Sequence, residues 1–143
     1  MKWWRKFLIL TNRERLFLIE TFLLLGLVKL GLGLISYQKL LHLLDKMSKL
    51  DYKDREIELN KIVRAVNIST RYMPGGAKCL ARALTTQVIM RQQGYSPQLI
   101  IGVTNAEQGQ LEAHAWIEYQ GLIVVGDLQN LSRYMPLSSY KKT

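Results

Sequence analysis

The segment LEAHAWIEYQGLIVVGD, at positions 111–127, decides the fold because it has the pattern of two β-strands joined by a tight turn. Aromatic and β-branched residues dominate both halves, and they flank the dipeptide Gln120-Gly121. Glycine at the second turn position suits a two-residue hairpin loop, although Gln-Gly is a weaker signal than Asn-Gly. The sequence therefore predicts an antiparallel hairpin of strands 111–119 and 122–127.

The predicted register places a histidine opposite an aspartate. With a two-residue loop, His114 faces Asp127 on the same side of the sheet. Directly opposed residues have Cβ atoms about 4.5 to 5.5 Å apart, so an imidazole N–H can reach a carboxylate. A shift by one residue would place these two side chains on opposite faces. The other predicted pairs are Tyr119 with Leu122, Ile117 with Val124, and Trp116 with Val125.

Cys79 is the only cysteine of the chain, and it follows the helix breaker Pro-Gly-Gly at 74–76. A lone thiol excludes an internal disulfide, so this side chain is either reactive or a small apolar group of the core. Free N–H groups at a helix start, the helix dipole and Lys78 favour a thiolate, and the same N–H groups could stabilise an oxyanion.

A cysteine at a helix start, a histidine and an aspartate are together the apparatus of thiol acyl-transfer enzymes. We therefore predict a catalytic triad of Cys79, His114 and Asp127. The alternative is that Cys79 belongs to the core, His114 is a buried structural histidine and Asp127 only begins a turn.

Helical periodicity precedes the cysteine and strand-like runs follow it. Helices followed by an antiparallel sheet give an α+β fold, with the Cys-bearing helix between N-terminal helices and a C-terminal β-sheet. The predicted helices span 12 to about 36, 40–50, 54–67 and 79 up to Gly94, with a loop at 69–78. The predicted strands are 98–104, 111–119 and 122–127.

Composition indicates one globular domain that needs no cofactor. The 143 residues are 48% hydrophobic and 22% charged, which is enough apolar surface for one core. The net charge is +9, but the basic residues are scattered and no nucleic-acid motif is present, so we expect no nucleic acid partner. Two distant histidines and one cysteine cannot supply a metal site. One unpaired cysteine fits the reducing cytoplasm.

The N-terminal region is very apolar between residues 16 and 35. Its order of charged and apolar residues does not match a signal peptide. Glu20 and Lys29 interrupt the run, and the stretch 21–28 between them is shorter than the roughly 18 to 20 residues that span a bilayer. We expect a core or partner-facing helix, with attachment to a membrane surface or a true span as alternatives. Three glycines, at 26, 31 and 33, indicate either close helix packing or a break.

Several segments together resemble one known family. They are CLARAL at 79–84, Gly94-Tyr95, LIIGV at 99–103, AHAWIE at 113–118 and Gly-Asp at 126–127. The pattern, from about 74 to 136, resembles the transglutaminase-like leader peptidases of lasso-peptide biosynthesis. The resemblance implies a papain- or transglutaminase-like fold with a helical N-terminal part at 1–70 and a catalytic core at 71–143, and it carries the triad over onto Cys79, His114 and Asp127.

The resemblance also implies a reaction and partners. Such a cysteine peptidase cleaves a ribosomally made precursor peptide between leader and core through an acyl-enzyme, and a separate ATP-dependent cyclase then uses the freed core. Longer family members carry a fused leader-binding module that does not fit into this chain, so we expect a separate leader-recognition protein. Its docking surface would be the apolar N-terminal helices. The alternatives are a non-catalytic adaptor on the same scaffold and an acyltransferase that uses the same triad.

Two further residues are candidates for substrate binding. Arg82, one turn after Cys79, could bind substrate, pair with a carboxylate such as Glu118, or lie at the surface. Trp116 is on the predicted face of His114 and could form a wall of the site or belong to the core. The remaining histidine, at position 42, is expected to be structural or exposed.

Overall fold

The computed structural model describes residues 12–105, 111–125 and 135–136, and in these ranges it is an α+β fold. Four helices precede an antiparallel sheet, so the predicted fold class is confirmed. The helices are α1 (Asn12–Leu34), α2 (Tyr37–Ser48), α3 (Leu59–Tyr72) and α4 (Cys79–Gln92), with a 3₁₀ turn at Lys53–Arg55. The strands are β1 (Gln98–Asn105), β2 (Leu111–Tyr119), β3 (Leu122–Val125) and β4 (Met135–Pro136).

The bounds of α2 and α3 differ from the prediction. Helix α2 begins earlier because the hydroxyl of Ser36 caps it, accepting a hydrogen bond from the backbone N–H of Lys39. The predicted start of α3 at residue 54 is wrong, since a 3₁₀ turn and the positive φ of Glu56 (51°) interrupt the helix there. Helix α3 also continues through the first part of the predicted loop at 69–78, and the Thr70 hydroxyl bonds to the Val66 carbonyl.

Helix α4 is the central element of the core. Its residues contribute to a cluster with α1 and α2 and to a second cluster with α3 and the sheet. Because α4 is covered on several sides, its buried threonines have no contact with water. Thr85 and Thr86 instead donate hydrogen bonds of 2.8 Å to carbonyls one turn earlier in the helix. The helix ends as predicted before Gly94, which has a φ of 90°.

Helix α1 is continuous, so the glycines at 26, 31 and 33 do not break it and that predicted alternative is wrong. The other alternative, close helix packing, explains Gly31. A Cβ on Gly31 would lie 2.7 Å from Cδ1 of Leu40 in α2. Leu25 and Val28 have no exposed surface, so one side of α1 is core. Within the ranges that the structure describes, α1 alone is long and apolar enough to cross a membrane by length and composition.

The sheet has the strand order β3-β2-β1-β4. Strands β2 and β3 form the predicted hairpin, in which Tyr119 pairs with Leu122. Both residues of the connecting loop have positive φ, 51° at Gln120 and 80° at Gly121, as a type I′ turn requires. The short strand β4 pairs with β1 and was missed, because two residues show no alternation in the sequence.

The predicted register fails beyond the first pairs of this hairpin. Ile117 pairs with Val125 and not with Val124, because the register shifts by one residue between Ile117 and Glu118. The predicted pair of Trp116 with Val125 is therefore also wrong. The shift lets Val125, which is 3% exposed, pack with Ile117 in the core cluster that includes α4. The predicted partner of His114, Asp127, lies outside the described residues, and the register that would oppose the two no longer holds at Ile117, so their pairing stays a prediction without that support.

Candidate active site

Cys79 is the first residue of α4, and the backbone before it leaves the first N–H groups of the helix without helical partners. Lys78 occupies the N-cap with extended backbone and makes no side-chain capping bond. The hydrogen bond from the N–H of Arg82 to the carbonyl of Lys78, 3.1 Å long, closes the first turn. The N–H groups of residues 79–81 thus take no part in the hydrogen bonds of the helix. They are the kind of donors that can stabilise an oxyanion.

The thiol of Cys79 lies against strand β2. Its Sγ accepts a hydrogen bond from the backbone N–H of Ala115, 3.4 Å away. Cys79 also packs against the core cluster of Ala115 and Ile117, on the side of the sheet that faces α4. The fold therefore brings Cys79 next to the backbone of Ala115, the residue that follows His114, and the triad itself stays a prediction.

The imidazole of His114 stacks on the indole of Trp116. The ring centroids are 6.2 Å apart and the ring planes make an angle of 25°. The two side chains share a face of the sheet, as predicted, whereas Ala115 and Ile117 pack in the cluster with α4. Within the residues that the structure describes, the Cys79 thiol accepts its hydrogen bond from the amide of Ala115. No hydrogen bond between the thiol and the His114 imidazole is present there.

Trp116 is nearly buried, 5% exposed, and its indole N–H donates a 2.9 Å hydrogen bond to the carboxylate of Glu118. Glu118 therefore interacts with Trp116, and the suggested pair between Arg82 and Glu118 is wrong. Arg82 instead donates from Nη2 to Oδ1 of Asn67 in α3, over 2.7 Å. Among the residues that the structure describes, none accepts a hydrogen bond from the buried Nε of Arg82. Substrate binding by Arg82 and Trp116 stays a prediction.

The triad is only partly described. Cys79 and His114 belong to neighbouring elements, α4 and β2, but Asp127 lies outside the described residues. His42 is exposed on α2, as one of its predicted alternatives requires. Within residues 12–105, 111–125 and 135–136, no group of three His, Cys, Asp or Glu side chains could hold a metal ion.

Sequence reasoning missed Lys29, which it treated as an interruption of an apolar helix. The Lys29 ammonium donates hydrogen bonds to the carbonyl oxygens of Pro74 (2.6 Å) and Gly76 (2.7 Å). It thereby ties α1 to the loop that leads into Cys79. The sequence did contain an indication of this role, since Lys29 lies in an apolar helix. A charged group that is removed from water requires hydrogen-bonding partners.

Two clefts lie beside the 3₁₀ turn at Lys53–Arg55, next to the N-terminal half of α1. Both are lined by Phe17, Arg55 and Ile57, and neither includes a residue of the predicted triad. The candidate site at the start of α4 is therefore separate from these two clefts.

Comparison with known proteins gives one match. Residues 23–139 match the transglutaminase-like superfamily, a range that includes the cysteine of α4, the histidine of β2 and Asp127. No curated protein and no solved structure matches significantly. Because the match covers more than half of the chain, and because the helices followed by an antiparallel sheet are consistent with it, the chain belongs to the transglutaminase-like superfamily.

Proposed function

We propose that this protein is a cysteine peptidase that removes the leader from a ribosomally synthesised lasso-precursor peptide. The observation that carries the proposal is the hydrogen bond between the Cys79 thiol and the Ala115 amide, which holds the sulfur beside the backbone of His114. A transglutaminase-like domain is compatible with a cysteine peptidase or an acyltransferase. The resemblance of the segments around Cys79 and His114 to lasso leader peptidases supports the more specific reaction.

In the proposed reaction, the sulfur of Cys79 attacks the carbonyl carbon of the bond between leader and core. His114 takes the thiol proton and passes it to the leaving amine as the C–N bond breaks, which frees the core and leaves the leader as a thioester. Water then attacks the thioester with His114 as base. The products are a leader carboxylate and the regenerated thiol.

The remaining parts of the site assist these steps. The N–H groups at 79–81 would stabilise the oxyanion, and Asp127 would hold the tautomer of His114. Proton transfer requires the imidazole to come within about 3 Å of the sulfur, and such contacts often form only in the substrate complex.

The proposal includes partners and a location. A separate leader-recognition protein would present the precursor, and an ATP-dependent lasso cyclase would consume the freed core in the cytoplasm. The net charge of +9 favours an acidic leader. Arg82 and Trp116, which flank Cys79 and His114 in sequence, are the proposed substrate-binding residues.

The test is cleavage of the precursor peptide with and without the leader-recognition protein. Cys79→Ala should abolish cleavage and leave the thermal midpoint close to that of the wild type, and His114→Ala should do the same. Unchanged cleavage by Cys79→Ala would refute the proposal. Loss of maturation in the absence of the protein, together with no effect of iodoacetamide, would instead favour the adaptor.

Mass spectrometry of the leader fragment separates the two enzymatic possibilities. A free carboxylate at the new C-terminus indicates hydrolysis. An amide indicates acyl transfer to an amine through the same Cys79 thioester.

A further inference from the structure

Helix α1 carries a stripe of large apolar side chains that the domain leaves exposed. Each member is between 43% and 79% exposed. The opposite side of the same helix is core, with Leu25 and Val28 fully buried. An apolar helix side requires an apolar neighbour, and the residues that the structure describes supply one to α1 on one side only. We call these residues the leucine stripe: Leu16, Ile19, Leu23, Leu27, Leu30 and Leu34.

The leucine stripe is straight. Its five steps cover 18 residues, which is 3.6 residues per step and equals the period of the helix. At 100° per residue the six side chains fall within an arc of about 80°, and they extend over about 27 Å. A stripe of this length and width can lie along a flat surface.

Basic residues surround the N-terminal end of this stripe. By helix geometry, Arg13 and Arg15 lie on either side of it, about 80° from its centre line. The sequence KWWRK at 2–6 precedes them and combines three positive charges with two tryptophans. Basic residues such as Arg13 and Arg15 beside a leucine-rich helix face suit the headgroup region of an anionic bilayer. The net charge of +9 acts in the same direction.

The contacts of α1 exclude a transmembrane orientation of the folded domain. Glu20 accepts a 2.6 Å hydrogen bond from Arg55, and Lys29 is bonded to the loop before Cys79. Insertion across a bilayer would break both interactions and withdraw Leu25 and Val28 from the core. The stripe can enter a membrane only with the helix axis in the membrane plane.

We infer that α1 docks this domain on the surface of an anionic membrane, with the leucine stripe in the boundary between headgroups and acyl chains. This inference does not depend on the proposed peptidase activity. In this arrangement lipid covers the leucine stripe of α1. The rest of the domain lies above the bilayer, with the start of α4 in water.

The experiment is co-sedimentation of the full chain with phosphatidylcholine vesicles, with and without phosphatidylglycerol, at low and high salt. The test variant is Leu23→Ser/Leu30→Ser, in which both replaced side chains are 63% exposed. The control is Leu122→Ser, because Leu122 is 70% exposed but lies in β3 and not in the stripe. Thermal midpoints establish that the variants fold, and Cys79→Ala shows that binding is independent of chemistry.

We expect wild type to sediment with the anionic vesicles and to bind them more weakly in high salt. The double variant should bind at least tenfold more weakly with an unchanged thermal midpoint, since it removes two apolar side chains from the bilayer boundary. Leu122→Ser should bind like wild type.

Three results would overturn the inference. The first is a wild-type chain that stays in the supernatant with both kinds of vesicle, and the second is a double variant that binds as well as wild type. The third is a lipid-free dimer in analytical ultracentrifugation that the double variant converts to a monomer, because a second copy would then cover the stripe.

Discussion

The ammonium group of Lys29 lies 2.7 Å from the carbonyl oxygen of Gly76, three residues before Cys79. A second bond, to the carbonyl of Pro74, makes this side chain a clamp between the middle of α1 and the loop that delivers the nucleophile. Both acceptors are backbone oxygens, so the clamp fixes the path of the loop itself. Lys29 is therefore a positioning residue for the proposed reaction.

Replacing Lys29 by Met should lower the rate of leader cleavage about tenfold with little change in KM, because small misplacements of a reacting group are costly. The loss of two hydrogen bonds from a charged donor should also cost about 1 to 2 kcal/mol of stability. Lys29→Arg should recover most of both. The rate at which iodoacetamide alkylates Cys79, the only thiol, reports on the same positioning without substrate.

The control for this clamp is Lys39→Met, at an exposed position of α2. It should leave cleavage, alkylation and the thermal midpoint unchanged. A Lys29→Met variant that cleaves and is alkylated at wild-type rates would show that the loop keeps its path without the clamp.

Two neighbouring glycines of this loop give a matched pair. Both have positive φ, 76° at Gly75 and 70° at Gly76, so alanine at either position should cost about 1 kcal/mol in backbone strain. A Cβ on Gly75 would also lie 3.0 Å from the Lys29 ammonium, whereas one on Gly76 would enter open space. Gly75→Ala should therefore reduce cleavage more than Gly76→Ala at a similar thermal midpoint. Equal activities would mean that Lys29 yields without moving the loop.

The sequence was sufficient for features that depend on local chemistry. Periodicity and the breaker at 74–76 located the start of α4 at Cys79, and Gly94 located its end. The dipeptide at 120–121 predicted the turn of the hairpin. Each of these depends on residues within one or two turns of chain, where backbone preference decides the structure.

Features set by tertiary contacts could not be predicted in this way. The register shift near Ile117 depends on the fit of Val125 against α4, and no residue type in the hairpin indicates it. The bond from Lys29 to the loop joins residues 45 positions apart in the chain. The exposure of one side of α1 could not be predicted either. Leucine residues occur both on a helix face that packs in the core and on a face that contacts lipid or a partner.

Helix α1 offers a second matched pair of glycines, which tests its packing on α2. Alanine at Gly33 meets nothing within 4 Å, so Gly33→Ala should raise stability by about 0.5 to 1 kcal/mol through helix propensity. Alanine at Gly31 would press on Leu40, which is 1% exposed, and overpacking should outweigh that gain. Thermal or urea unfolding of the two variants checks the prediction. A Gly31→Ala variant as stable as Gly33→Ala would show that α2 shifts freely.

Trp116 links the sheet to the proposed site, and its two contacts can be separated by substitution. Trp116→Phe keeps an aromatic ring against His114 but removes the N–H that bonds to Glu118, so it should cost about 1 to 3 kcal/mol of stability. Cleavage at a temperature where the variant is folded should stay within about fivefold of wild type, since about 1 kcal/mol or less of the barrier depends on that bond. Glu118→Gln keeps an acceptor and should be close to neutral in both measurements.

Trp116→Leu also removes the stacking surface, and a larger loss of cleavage in this variant than in Trp116→Phe would assign the ring to orienting the imidazole. Equal cleavage by both would limit Trp116 to the core.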